Sequence, residues 1–227
     1  MLQTTSFDIH LCTTSVLFGS CPSDPLVYEI YLQKEIDATT ELAQAERDAL
    51  PEMSEDEEKV TVFLRIGEKP ALFGHVIKGF CKSACGAMWA VNKSHSAELR
   101  AYKKRIDTLI HIKPYIFPLA VPEGPIEYLN TYMKHGFPVC VRPLRAETAK
   151  GPRVALARSE VVPPGTEMDF KLVVIGEVPA LARQATKKFP IHEELLREWF
   201  DLGEYHGLGS WRNAGWGQFT YEMKRST

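Results

Sequence analysis

The 227-residue chain is 44% hydrophobic and 25% charged, a composition that excludes a disordered chain and suits one elaborated globular domain. Its formal net charge of −2 sets it apart from strongly basic nucleic-acid binders, and no apolar run approaches the ~18 residues of a membrane span. Five scattered cysteines (Cys12, Cys21, Cys81, Cys85, Cys140) and a start from Met1 to Ile9 without a basic-then-apolar pattern predict reduced thiols in a cytoplasm and no secretory leader.

Phe7, Ile9 and Leu11 alternate with Asp8 and His10, which predicts a first strand. A turn-rich loop over Ser20 to Pro25 precedes a short strand over Leu26 to Leu32. Residues 34–59 read as a solvated, partly helical insertion, because eight acids fall between Glu41 and Glu58 against Arg47 alone. Val60 to Ile66 is a predicted strand, followed by a Gly67-Glu68-Lys69-Pro70 turn. A helix over His75 to Trp89 carries one apolar stripe (Ile77, Phe80, Cys81, Ala84, Cys85, Met88). A second helix over Ser96 to Leu109 has Ser94 or Ser96 as its N-cap and an outer face of Arg100, Lys103, Lys104 and Asp107, which reads as a solvated side. Segments 137–145 and 153–158 suit a hairpin, Pro163 to Thr166 a turn, and Met168 to Ile175 a strand. An amphipathic helix over Ile191 to Leu202 leads into a glycine-rich loop, and Gln218 to Met223 is the last strand. Strands and helices alternate irregularly without an internal repeat, so the predicted class is α+β.

The average charge conceals an uneven distribution. Taking the eight acids and one base of the 41–58 run from totals of 29 and 27 leaves 21 acids and 26 bases, a body of net +5. Five bases (Arg142, Arg145, Lys150, Arg153, Arg158) face Glu147 alone between 142 and 158, so the hairpin is a basic candidate surface.

The richest motif is Gly207-Leu208-Gly209-Ser210-Trp211-Arg212-Asn213-Ala214-Gly215-Trp216-Gly217. Four glycines let backbone amides turn outward into an anion nest, Arg212 suits a phosphate, and Trp211 and Trp216 are candidate stacking platforms. The alternative is a tight connection in which the glycines allow close packing and the indoles pack on an edge of the core. Lys78, near the head of the first helix, is a candidate phosphate ligand or a solvated lysine.

The G-h-G-x5-G-h-G form of this loop (h apolar), between a helix and a terminal strand, resembles the glycine-rich loop of the CRISPR-associated RAMP superfamily. Glu160-Val161-Val162-Pro163-Pro164-Gly165-Thr166, running on to Phe170, resembles an E-h-h-P-x-G-T-x-F segment of the guide-RNA-binding backbone subunits of type III effector complexes. There too it follows an arginine-bearing hairpin. His75 to Lys82, with Lys78-Gly79 as the match, is similar to their helix entry. The resemblance implies a modified ferredoxin-like (RRM-like) core spanning residues 1–227, with 34–59 as an acidic insertion. It further implies RNA contact through the phosphate backbone and assembly with copies of itself or other effector subunits in antiviral defence. Asp24, in Ser23-Asp24-Pro25, resembles in position the loop aspartate with which several of those subunits cleave RNA. A carboxylate there would hold Mg²⁺ or assist 2′-hydroxyl attack, whereas Asp-Pro is also an ordinary turn.

No other cofactor is expected, since the seven histidines show no metal spacing and Cys81 and Cys85 read as core thiols. Two further functions stay open: an endoribonuclease working through Asp24, His10 or His75, and an interaction protein whose acidic run mimics nucleic acid toward an effector complex.

Overall fold

The computed structural model describes residues 3–22, 60–91, 93–124, 126, 129–134, 136–148, 151–185 and 190–226, with the backbone alone for 144–148 and 151–155. In chain order the strands are β1 (Thr4–Thr13), β2 (Leu17–Phe18), β3 (Cys21–Pro22), β4 (Val60–Val62), β5 (Leu64–Ile66), β6 (Lys69–Phe73), β7 (Ile110–Lys113), β8 (Ile116–Pro118), β9 (Thr131–Lys134), β10 (Phe137–Thr148), β11 (Gly151–Val162), β12 (Glu167–Ile175) and β13 (Phe219–Arg225). The helices are α1 (Gly74–Met88), α2 (Tyr102–Leu109), α3 (Glu193–Asp201) and the single turn α4 (Gly203–His206).

Four strands form the central sheet in the order β13-β1-β12-β7, and every neighbouring pair is antiparallel. α1 and α2 lie between β1 and β7, and α3 between β12 and β13. The unit is therefore βαββαβ with spatial order 4-1-3-2, the ferredoxin-like arrangement, and the class is α+β. One face of the sheet is apolar because β1 and β12 alternate strictly: Phe7, Ile9 and Leu11 are buried beside Met168, Phe170 and Leu172. Against that face pack Ile77, Phe80, Cys81, Ala84 and Cys85 of α1 and Leu195, Leu196, Trp199 and Phe200 of α3. Burial pushes the Cys81 thiol up to about 12 and the Cys85 thiol up to about 11, so both are inert packing groups.

Two insertions flank this core. β2 to β6 follow β1, and β8 to β11 follow β7. Together they build a sheet ordered β3-β4-β11-β10-β9, with β2 also on β11, and a three-stranded sheet β5-β6-β8. The β10–β11 ladder runs from Val139 opposite Glu160 to Thr148 opposite Gly151, a longer hairpin than its sequence predicts. Glu160 fastens these parts together. Its carboxylate accepts from Phe63 N at 2.8 Å and from Arg65 Nη2 at 2.6 Å, and its carbonyl accepts from Gly19 N at 2.8 Å. Thr166 closes the opposite end of the same segment, donating through N to Thr13 Oγ1 and through Oγ1 to Pro163 O.

Several sequence expectations shift. The helix predicted over 96–109 is a 3-10 turn (His95–Glu98) capped by Ser94, whose Oγ accepts from Ala97 N at 3.2 Å, and then α2. The break falls at Ala101, whose φ of +52° no helix interior accommodates. Ser96 is inside rather than capping, bonded to Glu198 and to the Trp199 indole N–H. The strand predicted over 60–66 is interrupted at Phe63, where the backbone turns to the Glu160 carboxylate. The predicted 26–32 strand and the 34–59 insertion lie outside the described residues.

Candidate nucleic-acid interface

The glycine loop is held at its neck by backbone contact so close that only glycine fits. A Cβ on Gly217 would lie 2.0 Å from Leu208 O, and one on Gly207 would lie 2.3 Å from Trp216 O. Leu208 N donates to Gly217 O at 2.8 Å across this neck, and Gly217 N donates to Val16 O at 3.0 Å, fixing the loop beside β2. Gly215 is different: nothing crowds its missing Cβ, and its φ of +81° alone calls for glycine. Gly207 and Gly217 thus allow the close packing of the neck.

The loop's aromatic residues point inward onto β2. Trp211 and Trp216, both half-buried, meet Phe18 edge-on at centroid distances of 5.6 Å and 5.9 Å. Trp211 is itself left-handed (φ +65°), an uncommon state for a large residue, and it opens the 3-10 turn Arg212–Ala214.

Arg142 of β10 enters this aromatic cluster from the hairpin. Its guanidinium carbon sits 3.9 Å from the centre of the Trp211 ring and 4.5 Å from that of Phe18. The residue is 9% exposed, and its Nε and Nη1 are buried with no hydrogen-bond partner among the described residues. Burial pulls its pKa below the usual arginine value, while the neighbouring Cys140 acts the other way. An arginine nonetheless stays charged in proteins. Cation–π contact with desolvated rings returns about 2 kcal/mol, yet two unmet donors on a buried cation remain a net cost. The sequence offers Arg142 and Trp211 as separate candidates; the fold brings them into contact.

The other predicted residues are dispersed. The ladder places positions 142 and 153 on one side of the ribbon and positions 145 and 158 on the other, since 153 pairs with Ala146 and 158 with Val141. Arg158 is half-buried in β11, and its carbonyl accepts from Thr61 Oγ1. Lys78 lies in the second turn of α1, where its Nζ donates to Asp107 O at 2.9 Å, so its charge serves the end of α2. Burial lowers its pKa. Arg212 is half-buried, and its charge helps hold the His206 imidazole below its usual pKa, after burial as the main cause. His206 in turn meets Ser83 of α1 at 2.6 Å. Asp24 and Lys150 lie outside the described residues.

Sequence reasoning missed Arg65, which joins Glu160 and stacks 3.9 Å from the Phe137 ring at the base of the hairpin. It also missed the convergence of His95, His192 and Glu194, whose ligand atoms lie within 4.8 Å of one another. His192 caps α3, its Nδ1 accepting from Leu195 N at 3.2 Å. That bond places the ring proton on Nε2, the nitrogen a metal would need bare. Both nominated histidines make polar contacts of their own. His10 pairs with Asp169 at 2.9 Å on the outer face of the central sheet. His75 stacks on Phe73 and meets the Tyr115 hydroxyl at 3.2 Å, with its pKa lowered to about 4 by burial and then by Lys82.

No family model matches the chain, and no curated protein matches it. Among solved structures, a chain of the "Type IV-B CRISPR Complex" aligns over 96% of this chain and 90% of its own length, with 13% identity and a TM-score of 0.40. So distant a likeness carries no functional weight, and the fold assignment rests on the strand order. No helix among the described residues is long and apolar enough to cross a membrane.

Proposed function

We propose that the chain is an RNA-binding subunit of a larger ribonucleoprotein, of the CRISPR-associated RAMP type. Its grip on the RNA is through phosphates, at the junction of the glycine loop and the β10–β11 hairpin. The observation that carries this reading is Arg142: a cation nine-tenths buried, clamped between aromatic faces, with two donors unpartnered among the described residues. A protein gains no stability from such a group, whereas a phosphate oxygen satisfies it by a charge-assisted bond. Trp211 is the cover that yields to the ligand, being half-buried and held in a strained backbone state. Arg212, in the turn that Trp211 opens, adds a second charge from the loop side.

The chemistry favours a polynucleotide without strong sequence preference, since cationic and aromatic groups meet backbone and base faces rather than base edges. The ordered run of resemblances, from Lys78-Gly79 through Glu160–Phe170 to the glycine loop, supports the RAMP assignment and a place beside partner subunits. Protein purified from its host should carry RNA of defined length, and that RNA should be lost in Arg212→Ala. RNA-free protein with no measurable affinity at low salt would end the proposal.

A further inference from the structure

A cavity of about 610 Å³ opens where the end of α1 meets the start of α2. Trp89, Leu99 and Tyr102 give it apolar walls, while Arg100, Lys103 and Lys104 surround it with positive charge and no acid among the described residues lines it. Trp89 is 54% exposed, unusual for an indole on the surface of a folded chain.

The charges are placed against the interest of the helix. Lys103 and Lys104 occupy the first turn of α2, which contains no acid, and Ala101 before it provides no side-chain cap. Cations at the positive end of a helix destabilise it. Folding alone therefore gains nothing from this arrangement, and an anion bound among the three side chains reverses its sign.

We infer that this cavity is a second RNA contact, in which Trp89 stacks an unpaired base while Arg100, Lys103 and Lys104 hold the flanking phosphates. The inference rests on the RNA-binding reading above and adds a site to it. A protein partner fits less well. Stable protein interfaces bury upwards of about 1,000 Å², and beside Trp89 only Val91 is an exposed large apolar residue among the described residues of this corner. A single base needs one open ring and nearby cations, which is what the cavity presents.

The test is photo-crosslinking of the full-length protein to single-stranded RNA containing 4-thiouridine, with crosslinked peptides mapped by mass spectrometry, alongside affinity measurements. A crosslink within residues 89–104, retained in Arg142→Met, supports the site. Trp89→Ala should then weaken binding about 5-fold or more, and the double charge reversal Lys103→Glu with Lys104→Glu should do the same. Circular dichroism of both variants should match the parent, since all three side chains are exposed. Crosslinks confined to the loop and hairpin, with unchanged affinity in both variants, would overturn this site while leaving the RNA-binding reading intact. Loss of self-association in Trp89→Ala with unaltered RNA affinity would likewise overturn it, in favour of a protein contact. Absence of any RNA binding by the parent would bring down both.

Discussion

Buried charge at Arg142 and buried neutrality at His75 show the same desolvation acting on groups that respond differently. Arginine cannot shed its proton, so Arg142 keeps a charge that its surroundings leave incompletely paired. Histidine can, and His75 stays neutral down to about pH 4. An unfolded histidine takes up its proton near pH 6.5, well before the folded one does. The stability that His75 contributes is therefore present above pH 6.5 and lost as the pH falls toward 4, by up to about 3 kcal/mol. Urea titrations at pH 7 and pH 4.5 should show this loss. His75→Gln should make it smaller without abolishing it, because burial also lowers the pKa of His192 and His206. An identical pH dependence in the variant would contradict the assignment.

Among elements, the glycine loop and the Glu160 segment do their first work as joints. Gly217→Ala forces a methyl to 2.0 Å from Leu208 O as well as into a left-handed backbone, and should cost more than about 3 kcal/mol. Gly215→Ala meets only the backbone penalty, on the order of 1 kcal/mol. Thermal unfolding of the two variants should separate them clearly, and equal losses would mean that the neck is not what holds the loop. Glu160→Ala removes the only carboxylate paired with Arg65 among the described residues, leaving that guanidinium the Phe63 and Leu64 carbonyls, and it deprives the Phe63 N–H of its acceptor; a loss of about 3 kcal/mol is expected in the same assay. These elements also mark how far sequence reasoning reaches. β1, β12, α1 and α3 were legible because each buries one face over two or more turns or several alternations. β7, β8 and β9 were not, because they are three or four residues long and are defined by the strands they join. The glycine loop was legible as a motif, yet its meeting with Arg142 was not, since nothing local to either segment encodes the approach of the hairpin to β2. The contact of Lys78 was hidden for a related reason: its partner, the Asp107 carbonyl, belongs to another helix.

At the scale of the molecule, a ferredoxin-like core presents two insertions whose sheets bring a basic hairpin against a glycine loop. Near-neutral total charge does not oppose RNA binding when the acids concentrate in 41–58 and the bases lie elsewhere. The affinity for single-stranded RNA across a salt series, in the parent and in Arg142→Met, decides whether Arg142 serves a phosphate. Methionine fills the aromatic slot without a charge, so the variant should be as stable as the parent or more so. Its affinity at low salt should fall at least about 10-fold, with a shallower dependence on salt. Unchanged affinity and slope in a variant of undiminished stability would contradict the claim that this buried arginine is kept for a phosphate.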